Sequence, residues 1–129
     1  WCVGARSQSN KSINKPINNL EKYYDVDLTW RKKVNNEIKK KYNNIFKFLN
    51  LLVFLKVPNF KSVLKWRILQ EKKLKLKSKG KKIMTKFQIK KFIMHYERTT
   101  KNMIKDLGKN SNIVVRLDSK HRLCSLKFN

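Results

Sequence analysis

The sequence predicts an α/β protein built around a parallel sheet, and three observations lead to this class. Apolar residues make up 40% of the 129 residues, which is enough to build the core of one domain. A short apolar run at 51–55 follows one stretch of helical periodicity and precedes another. A β-branched run at 113–117 then follows a further helical pattern. Helix, buried strand and helix in alternation are typical of a parallel α/β sheet.

The first fifteen residues predict the end of a strand and a loop. Residues 1–5 are mostly apolar and fit the last residues of a buried strand, whereas the polar run 6–15 fits a loop. In an open α/β sheet, ligands bind beyond the carboxyl ends of the strands. Arg6 is therefore a candidate to face a substrate, and a merely solvated arginine is the alternative. Residues 16–21 predict a turn or a short helical start.

The stretch 30–49 predicts a helix with one buried stripe. Asp25, Asp27 and Thr29 offer oxygens that can cap its start. Arg31 lies beside the stripe, where a structural role is favoured over one at the rim of an active site. The apolar positions recur in helical steps of three and four, and they are Trp30, Val34, Ile38, Tyr42, Ile45, Phe46 and Leu49.

Three segments supply the predicted strands that follow, and a connector separates the helices between them. The continuous apolar run 51–55 predicts a strand buried on both faces. The β-branched run 113–117 predicts a second strand, and 122–128 a last strand at the sheet edge. A helix begins after Asn59, and the lysine-rich connector that follows it, at about 75–84, is expected to be mobile.

The last long helix carries the clearest boundary signals of the chain. Thr85 and Gln88 have the spacing of a capping box, and the helix is expected to run to about Leu107 with Gly108 as its C′ residue. Its predicted buried stripe consists of Ile89, Phe92, Ile93, Tyr96, Thr100, Met103 and Leu107.

The charge balance is extreme, with 33 lysines and arginines against 8 acidic residues and a net charge of +25. Such a field attracts polyanions, so a small basic nucleic-acid-binding module is one alternative. Lysines scattered over solvated helix faces are the other interpretation, and no RNA- or DNA-binding signature is present. A membrane-surface helix around 72–91 is a weaker third idea, because no clean apolar face is found there.

The cysteines give an expectation about the cellular compartment of the protein, and its first residue gives one about whether the sequence is a fragment. Cys2 and Cys124 form no CxxC pair, so no zinc site is expected, and two reduced thiols of a cytoplasmic protein are the default. No apolar run approaches the roughly 18–20 residues that a membrane span needs. Trp1 stands where a methionine would begin a protein, in the middle of a pattern, so we expect a fragment of a longer chain.

Arginine is rare in this sequence, and two of its positions point to anion binding. Arg67 follows Trp66 and lies one helical turn before Gln70 and Glu71, and Arg98 lies in a similar aromatic and acidic setting. The planar guanidinium group suits bidentate contacts to phosphate or carboxylate. An i, i+4 ion pair of Arg67 with Glu71 is the alternative, and for Arg98 a structural role is slightly favoured.

Five short motifs follow one another along the chain. They are Trp1-Cys2-Val3-Gly4-Ala5-Arg6, Pro16-Ile17-Asn18-x-Leu20-Glu21, Trp30-Arg31-x-x-Val34-Asn35, Pro58-x-Phe60-x-x-Val63-x-x-Trp66-Arg67-x-x-Gln70-Glu71 and Phe92-x-x-His95-Tyr96-Glu97-Arg98-x-Thr100. Their order and spacing resemble the C-terminal half of the D-glycerate 3-kinase-like P-loop kinases, a family of the phosphoribulokinase and uridine kinase group. The similarity extends from Trp1 to about Asp118.

The resemblance implies a partial doubly wound parallel sheet, P-loop NTPase-like, with the phosphate-binding loop upstream of Trp1. No Gly-x-x-x-x-Gly-Lys-Ser/Thr motif occurs within the 129 residues. The resemblance also implies ATP and Mg²⁺ as cofactors and phosphoryl transfer to a hydroxyl of a small acid such as D-glycerate. Ser7 in place of an expected proline, and Leu28-Thr29 in place of a glycine-containing turn, bring the identity of that substrate into question.

The resemblance also implies roles for seven residues. Arg67, Gln70 and Glu71 match a lid that binds phosphate. The other four match the substrate cleft, and they are Gly4, Arg6, Tyr96 and Arg98. No catalytic residue and no metal ligand is assigned within this chain.

Overall fold

A computed structural model describes residues 2–77 and 83–129, and these residues form an α/β fold. Its helices and strands alternate as the sequence predicts. In chain order they are α1 (Asn10–Asn14), α2 (Asn19–Tyr24), α3 (Thr29–Glu37), a π-helical turn (Ile38–Tyr42), α4 (Asn43–Phe46), β1 (Val53–Lys56), α5 (Phe60–Lys77), α6 (Lys86–Asn110), β2 (Ile113–Leu117) and β3 (Leu123–Phe128).

The sheet of the described residues has the strand order β1-β2-β3 and is only partly parallel. β1 runs parallel to β2, with Val53 opposite Ile113. β2 runs antiparallel to β3, with Ile113 opposite Phe128. The antiparallel pairing of β2 and β3 follows from the short turn 118–122, because a connection of a few residues can join only antiparallel strands. The expected wholly parallel sheet is therefore corrected to a mixed one, while β2 and the edge position of β3 are confirmed.

β1 is covered on one face only. Phe54 is half-buried, whereas Val53 and Leu55, which point to the other face, are 46% and 58% exposed. The predicted burial on both faces is therefore wrong for the described residues. Side chains alternate along a strand, and the core lies on the Phe54 side alone.

The amino-terminal residues form a turn and a short helix instead of a strand and a loop. The amide of Ala5 donates to the carbonyl of Cys2 over 2.9 Å, and Gly4 has a left-handed φ of 78°. This geometry closes a turn and corrects the predicted strand end at 2–5; Trp1 lies outside the described residues. Within the predicted loop, Ser9 caps α1 through its hydroxyl oxygen, which accepts from the amide of Ser12.

The predicted helix 30–49 exists as a continuous helical segment from α3 through the π-helical turn to α4. Its start is capped as expected: the Asp25 carboxylate accepts from the amides of Trp30 and Arg31 over 2.7 and 3.2 Å. Ile38 is buried, but Trp30 and Ile45 are 53% and 61% exposed, so the buried stripe is shorter than predicted. A π-helical turn inserts extra residues, which rotates the stripe that follows it away from the core.

α5 and α6 pack against each other, and α6 has the predicted capping box. The Thr85 hydroxyl accepts from the amide of Gln88, whose side chain in turn accepts from the amide of Thr85. The helix does not stop at Gly108 but continues to Asn110, which corrects the predicted C′ position. In the predicted mobile connector, residues 75–77 belong to α5, and residues 78–82 lie outside the described residues.

The core joins the amino-terminal turn, α6 and the inner face of β1. Its buried members are Ala5, Ile38, Met103 and Leu107, and Cys2, Val34, Leu52 and Phe54 pack against them. Among the described residues, no helix has the length and apolar character needed to cross a membrane.

Candidate functional site

Arg98, a predicted substrate-cleft residue, is tied into the protein by all five of its N–H groups. Its Nε and Nη2 atoms donate to the two carboxylate oxygens of Glu21 over 2.7 and 2.6 Å. The remaining donors reach the carbonyls of Ser12 and Lys15 and the side-chain oxygen of Gln8. A guanidinium group has five donors, so Arg98 has none left for a ligand in this conformation.

A second buried arginine, Arg31, bonds to the backbone of α1 and α2. Its Nε donates to Asp25 over 2.8 Å, and its Nη1 donates to the carbonyl of Ile13 over 3.1 Å. Arg31 Nη1 also lies 3.9 Å from the Glu21 carboxylate. Glu21 and Asp25 are 7% and 6% exposed, so two arginines and two carboxylates form one buried, mutually neutralised cluster.

Arg6 lies at the mouth of a small polar cavity beside this cluster. The cavity volume is about 30 Å³, which is enough to hold water, and Arg98 contributes to its wall. Its amide side chains largely satisfy one another: Gln8 Nε2 donates to Asn102, and Asn102 donates to the carbonyl of Arg6. The Arg6 guanidinium is 57% exposed and lies 3.5 Å from the Asp106 carboxylate. Arg6 therefore has accessible donors, whereas Arg98 beside it does not.

The other two predicted cleft residues lie elsewhere. Gly4 faces the core, where a Cβ atom would stand 2.7 Å from a methyl group of Leu52 and 3.4 Å from one of Leu107. Tyr96 lies on α6 with its ring packed edge-on against Phe92 at 5.1 Å between centroids. Neither residue borders the cavity at Arg6. The structure thus brings Arg6 and Arg98 together and leaves Gly4 and Tyr96 apart from them.

The three predicted lid residues lie together on α5. Arg67 makes an ion pair with Glu71 at 2.5 Å and donates to the side-chain oxygen of Gln70 at 3.2 Å. Its guanidinium carbon lies 5.9 Å from the centroid of the Phe92 ring. The Glu71 side chain is 6% exposed, and its second oxygen accepts from the amide of Met84 just before α6. The arginine–glutamate pair thus joins α5 to the start of α6.

Arg67 also borders a cleft between α5 and the β2–β3 turn. The turn is fixed to the helix by Trp66, whose indole N–H donates to the carbonyl of Ser119 over 2.8 Å. The Trp66 ring also stacks on the ring of His121, with 3.7 Å between centroids. Lys73 lies one and a half turns further along α5 and reaches the same cleft. Cationic and aromatic side chains from two distant parts of the sequence therefore meet here.

Asp118 makes the β2–β3 turn rigid. Its carboxylate accepts from the amides of Arg122 and Lys120 over 2.9 and 2.7 Å and from the Arg122 guanidinium over 2.8 Å. The backbone N–H of Arg122, followed by its side chain, lowers the pKa of Asp118 from 3.8 to about 2. The turn keeps these hydrogen bonds at neutral pH and loses them only as the pH falls from about 4 towards 2.

Sequence reasoning missed the Glu21 cluster and the contribution of His121. An Asn18-x-x-Glu21 spacing of the capping-box type was a usable signal for Glu21, because the Asn18 side chain accepts from the amide of Glu21. No local pattern indicates that His121 meets Trp66, since 54 residues separate them in the chain. Among the described residues, no group of three or more potential metal ligands occurs.

Comparisons with known proteins find similar folds but no matching family. No family model matches the sequence, and no curated protein matches it. The structure is similar to that of a D-glycerate 3-kinase from Cryptococcus neoformans var. grubii serotype A, with a TM-score of 0.73 and 18% identity. That match covers 100% of this chain and 48% of the kinase.

A second solved structure, that of the YGR205w protein, has a TM-score of 0.64 and 22% identity over 98% of this chain and 45% of its own length. The chain thus spans about half the length of both proteins. At these identities the likeness shows a shared fold, so the class of this molecule is a partial kinase-like α/β fold.

Proposed function

We propose that this chain is the carboxyl-terminal part of an ATP-dependent kinase that phosphorylates a hydroxyl of a small acid such as D-glycerate. The observation that carries the proposal is the structural similarity to D-glycerate 3-kinase, which extends over the whole of this chain. The order of sequence motifs, from Gly4-Ala5-Arg6 to Tyr96-Glu97-Arg98, resembles that of the same family.

The physical demands of phosphoryl transfer fit what this chain offers. Such a reaction needs positioned positive charge over the spreading negative charge of the phosphates, and little covalent chemistry from the protein. Arg67 is one quarter exposed and is held on a long helix by Glu71. In the proposal, α5 covers the phosphates of ATP and Arg67 supplies charge, while Arg6 lies near the acceptor.

The nucleotide loop and the metal ligands belong to residues outside this chain in the proposal. The chain has no Gly-x-x-x-x-Gly-Lys-Ser/Thr motif, and its described residues hold no cluster that suits Mg²⁺, which prefers oxygen ligands. Bound ATP and Mg²⁺ would supply the phosphoryl group and neutralise its charge. This chain's own residues would bind, orient and exclude water.

The test is an assay of the protein encoded by the complete reading frame. With ATP, Mg²⁺ and D-glycerate or related hydroxy acids, we expect phosphorylated acid and ADP in equal amounts. Arg67→Ala should slow turnover by about 100-fold or more if the guanidinium meets transition-state charge. Arg116→Ala, an exposed arginine on β2, is the matched control and should leave turnover within about twofold.

Three outcomes would count against the proposal. The first is an upstream coding sequence without a glycine-rich phosphate loop. The second is an Arg67→Ala variant that loses stability and activity in parallel, because a purely structural ion pair with Glu71 behaves in that way. The third is a protein without kinase activity that binds an oligonucleotide tightly and saturably, which would favour the nucleic-acid alternative.

A further inference from the structure

The cleft between α5 and the β2–β3 turn has a fixed shape. Trp66 bonds to the turn through the carbonyl of Ser119 and stacks on His121 at 3.7 Å. The turn itself is closed by the Asp118 carboxylate, so His121 is held at the cleft in a left-handed conformation with φ of 64°. Because helix and turn are pinned to each other, the cleft does not depend on a rearrangement to form.

Among the described residues, the side chains that line this cleft are apolar, neutral or basic, and none of them is acidic. Arg67, Lys73 and His121 supply donors, and Val63 and Trp66 form an apolar wall. No ion pair to Lys73 is found among residues 2–77 and 83–129, so its ammonium group is not held by a carboxylate of these residues. The cleft therefore attracts an anion.

We propose that this cleft binds a phosphate group, with Lys73, His121 and Arg67 as its contacts. The proposal deepens the proposed function, on which it rests for the phosphate-covering role of α5. It adds Lys73 and His121 to that role and assigns the ligand class.

The number of donors favours phosphate over a carboxylate. Arg67 has five N–H groups and uses two of them within the helix, for Gln70 and Glu71, so the others remain for a ligand. Lys73 on α5 and His121 on the turn add further donors, one of them from a second element. A phosphate group presents at least three acceptor oxygens to these donors, whereas a carboxylate presents two.

The test uses the two histidines as reporters in the protein labelled with ¹³C at the imidazole Cε1 position. Inorganic pyrophosphate, ATP and D-glycerate are titrated separately, and the His121 resonance is assigned with His121→Gln. We expect pyrophosphate to shift the His121 resonance saturably and to leave that of His95 unchanged. ATP shifts it too if the source is a nucleotide phosphate, and comparison of the two affinities distinguishes free phosphate from nucleotide.

A pair of neighbouring lysines separates a built site from general charge attraction. Lys73→Gln should weaken pyrophosphate binding about tenfold, since it removes a charge-assisted contact. Lys72→Gln removes the same charge from the same helix but lines a different surface, and binding should stay within about twofold. Both lysines are exposed, so both variants are expected to fold, which circular dichroism checks.

Equal weakening by both lysine variants would overturn the proposal, because it would mean unspecific attraction to a chain of net charge +25. A His121 resonance that responds only to D-glycerate, or to none of the three probes, would also overturn it. The outcome for the kinase proposal is separate. Phosphate binding without turnover would refute the kinase activity and support the phosphate site, whereas turnover without a His121 response would support the kinase activity and refute the phosphate site.

Discussion

Arg98 has all five of its guanidinium N–H groups bonded to acceptors of this chain, and Arg31 makes four such bonds. Arg98 alone joins α6 to the carboxylate of Glu21 and to backbone carbonyls at Ser12 and Lys15. These acceptors lie more than 75 residues away in the sequence. A local pattern can mark Arg98 as an unusual arginine, but it cannot distinguish a phosphate from a buried carboxylate as its partner. The sequence alone therefore left its role open.

Arg98→Met should lower the free energy of unfolding by about 3–5 kcal/mol, because it leaves the buried Glu21 carboxylate without its bidentate partner. Lys101→Met is the matched control on the same helix. It breaks an ion pair of Lys101 with Glu97 in which the lysine is half exposed, so it should cost about 1 kcal/mol or less. Urea unfolding followed by circular dichroism measures both.

Arg98→Lys tests whether the planar guanidinium group itself is needed for stability. A lysine keeps the charge but cannot supply five donors, so we expect most of the stability loss to remain. If the Arg98→Lys protein were as stable as the parent protein, the five hydrogen bonds of the Arg98 guanidinium would not matter for stability. If Arg98→Met left stability unchanged and only raised KM, Arg98 would instead be a substrate-binding residue.

At the scale of helices and strands, two signals that are local in sequence were reliable. The Thr85–Gln88 capping box and the β-branched strand β2 appear where the pattern predicts them. The errors concern features set by tertiary contacts. Gly108 has the sequence appearance of a helix end, but α6 continues past it to Asn110, and the amide of Ser111 still donates to the carbonyl of Leu107. The π-helical turn at Ile38–Tyr42 has no sequence signal that distinguishes it from α-helix.

Gly108→Ala should raise the free energy of unfolding by about 0.5–1 kcal/mol, because glycine is a poor residue inside a helix. The new Cβ would lie 3.0 Å from the Lys56 ammonium, the mobile end of a long side chain that can move aside. Gly4→Ala is the opposite case. There φ is 78° and the Cβ would meet Leu52 at 2.7 Å, so we expect a loss of about 1–2 kcal/mol or more.

Thermal and urea unfolding of the two glycine variants, side by side, measure this difference in sign. A destabilised Gly108→Ala protein would indicate that the helix ends at Gly108 in a left-handed conformation, as the sequence first predicted. A neutral Gly4→Ala would indicate that the turn at 2–5 is loosely packed.

On the scale of the whole molecule, the described residues leave one face and both edges of the sheet without a covering strand. Val53 and Leu55 on β1, and Leu126 and Phe128 on β3, are each between 46% and 72% exposed. β1 is also an edge strand with free backbone groups, and an exposed apolar edge promotes pairing between chains. The periodicity of a strand predicts which residues share a face, but not whether another element covers that face.

This surface predicts salt-dependent self-association of the 129-residue chain. The net charge of +25 keeps copies apart at low ionic strength, and screening shortens the reach of that repulsion to about 8 Å near 0.15 M salt. The uncovered apolar face can then pair, so sedimentation velocity should show monomer at low salt and a growing dimer fraction as salt rises.

Leu55→Lys, on the open face, should suppress the dimer without loss of unfolding free energy. Phe54→Lys, one residue away but packed against the core, should instead unfold the chain. A chain that stays monomeric at every salt concentration, or a Leu55→Lys variant that dimerises as well as the parent, would show that the open face of β1 is not the contact.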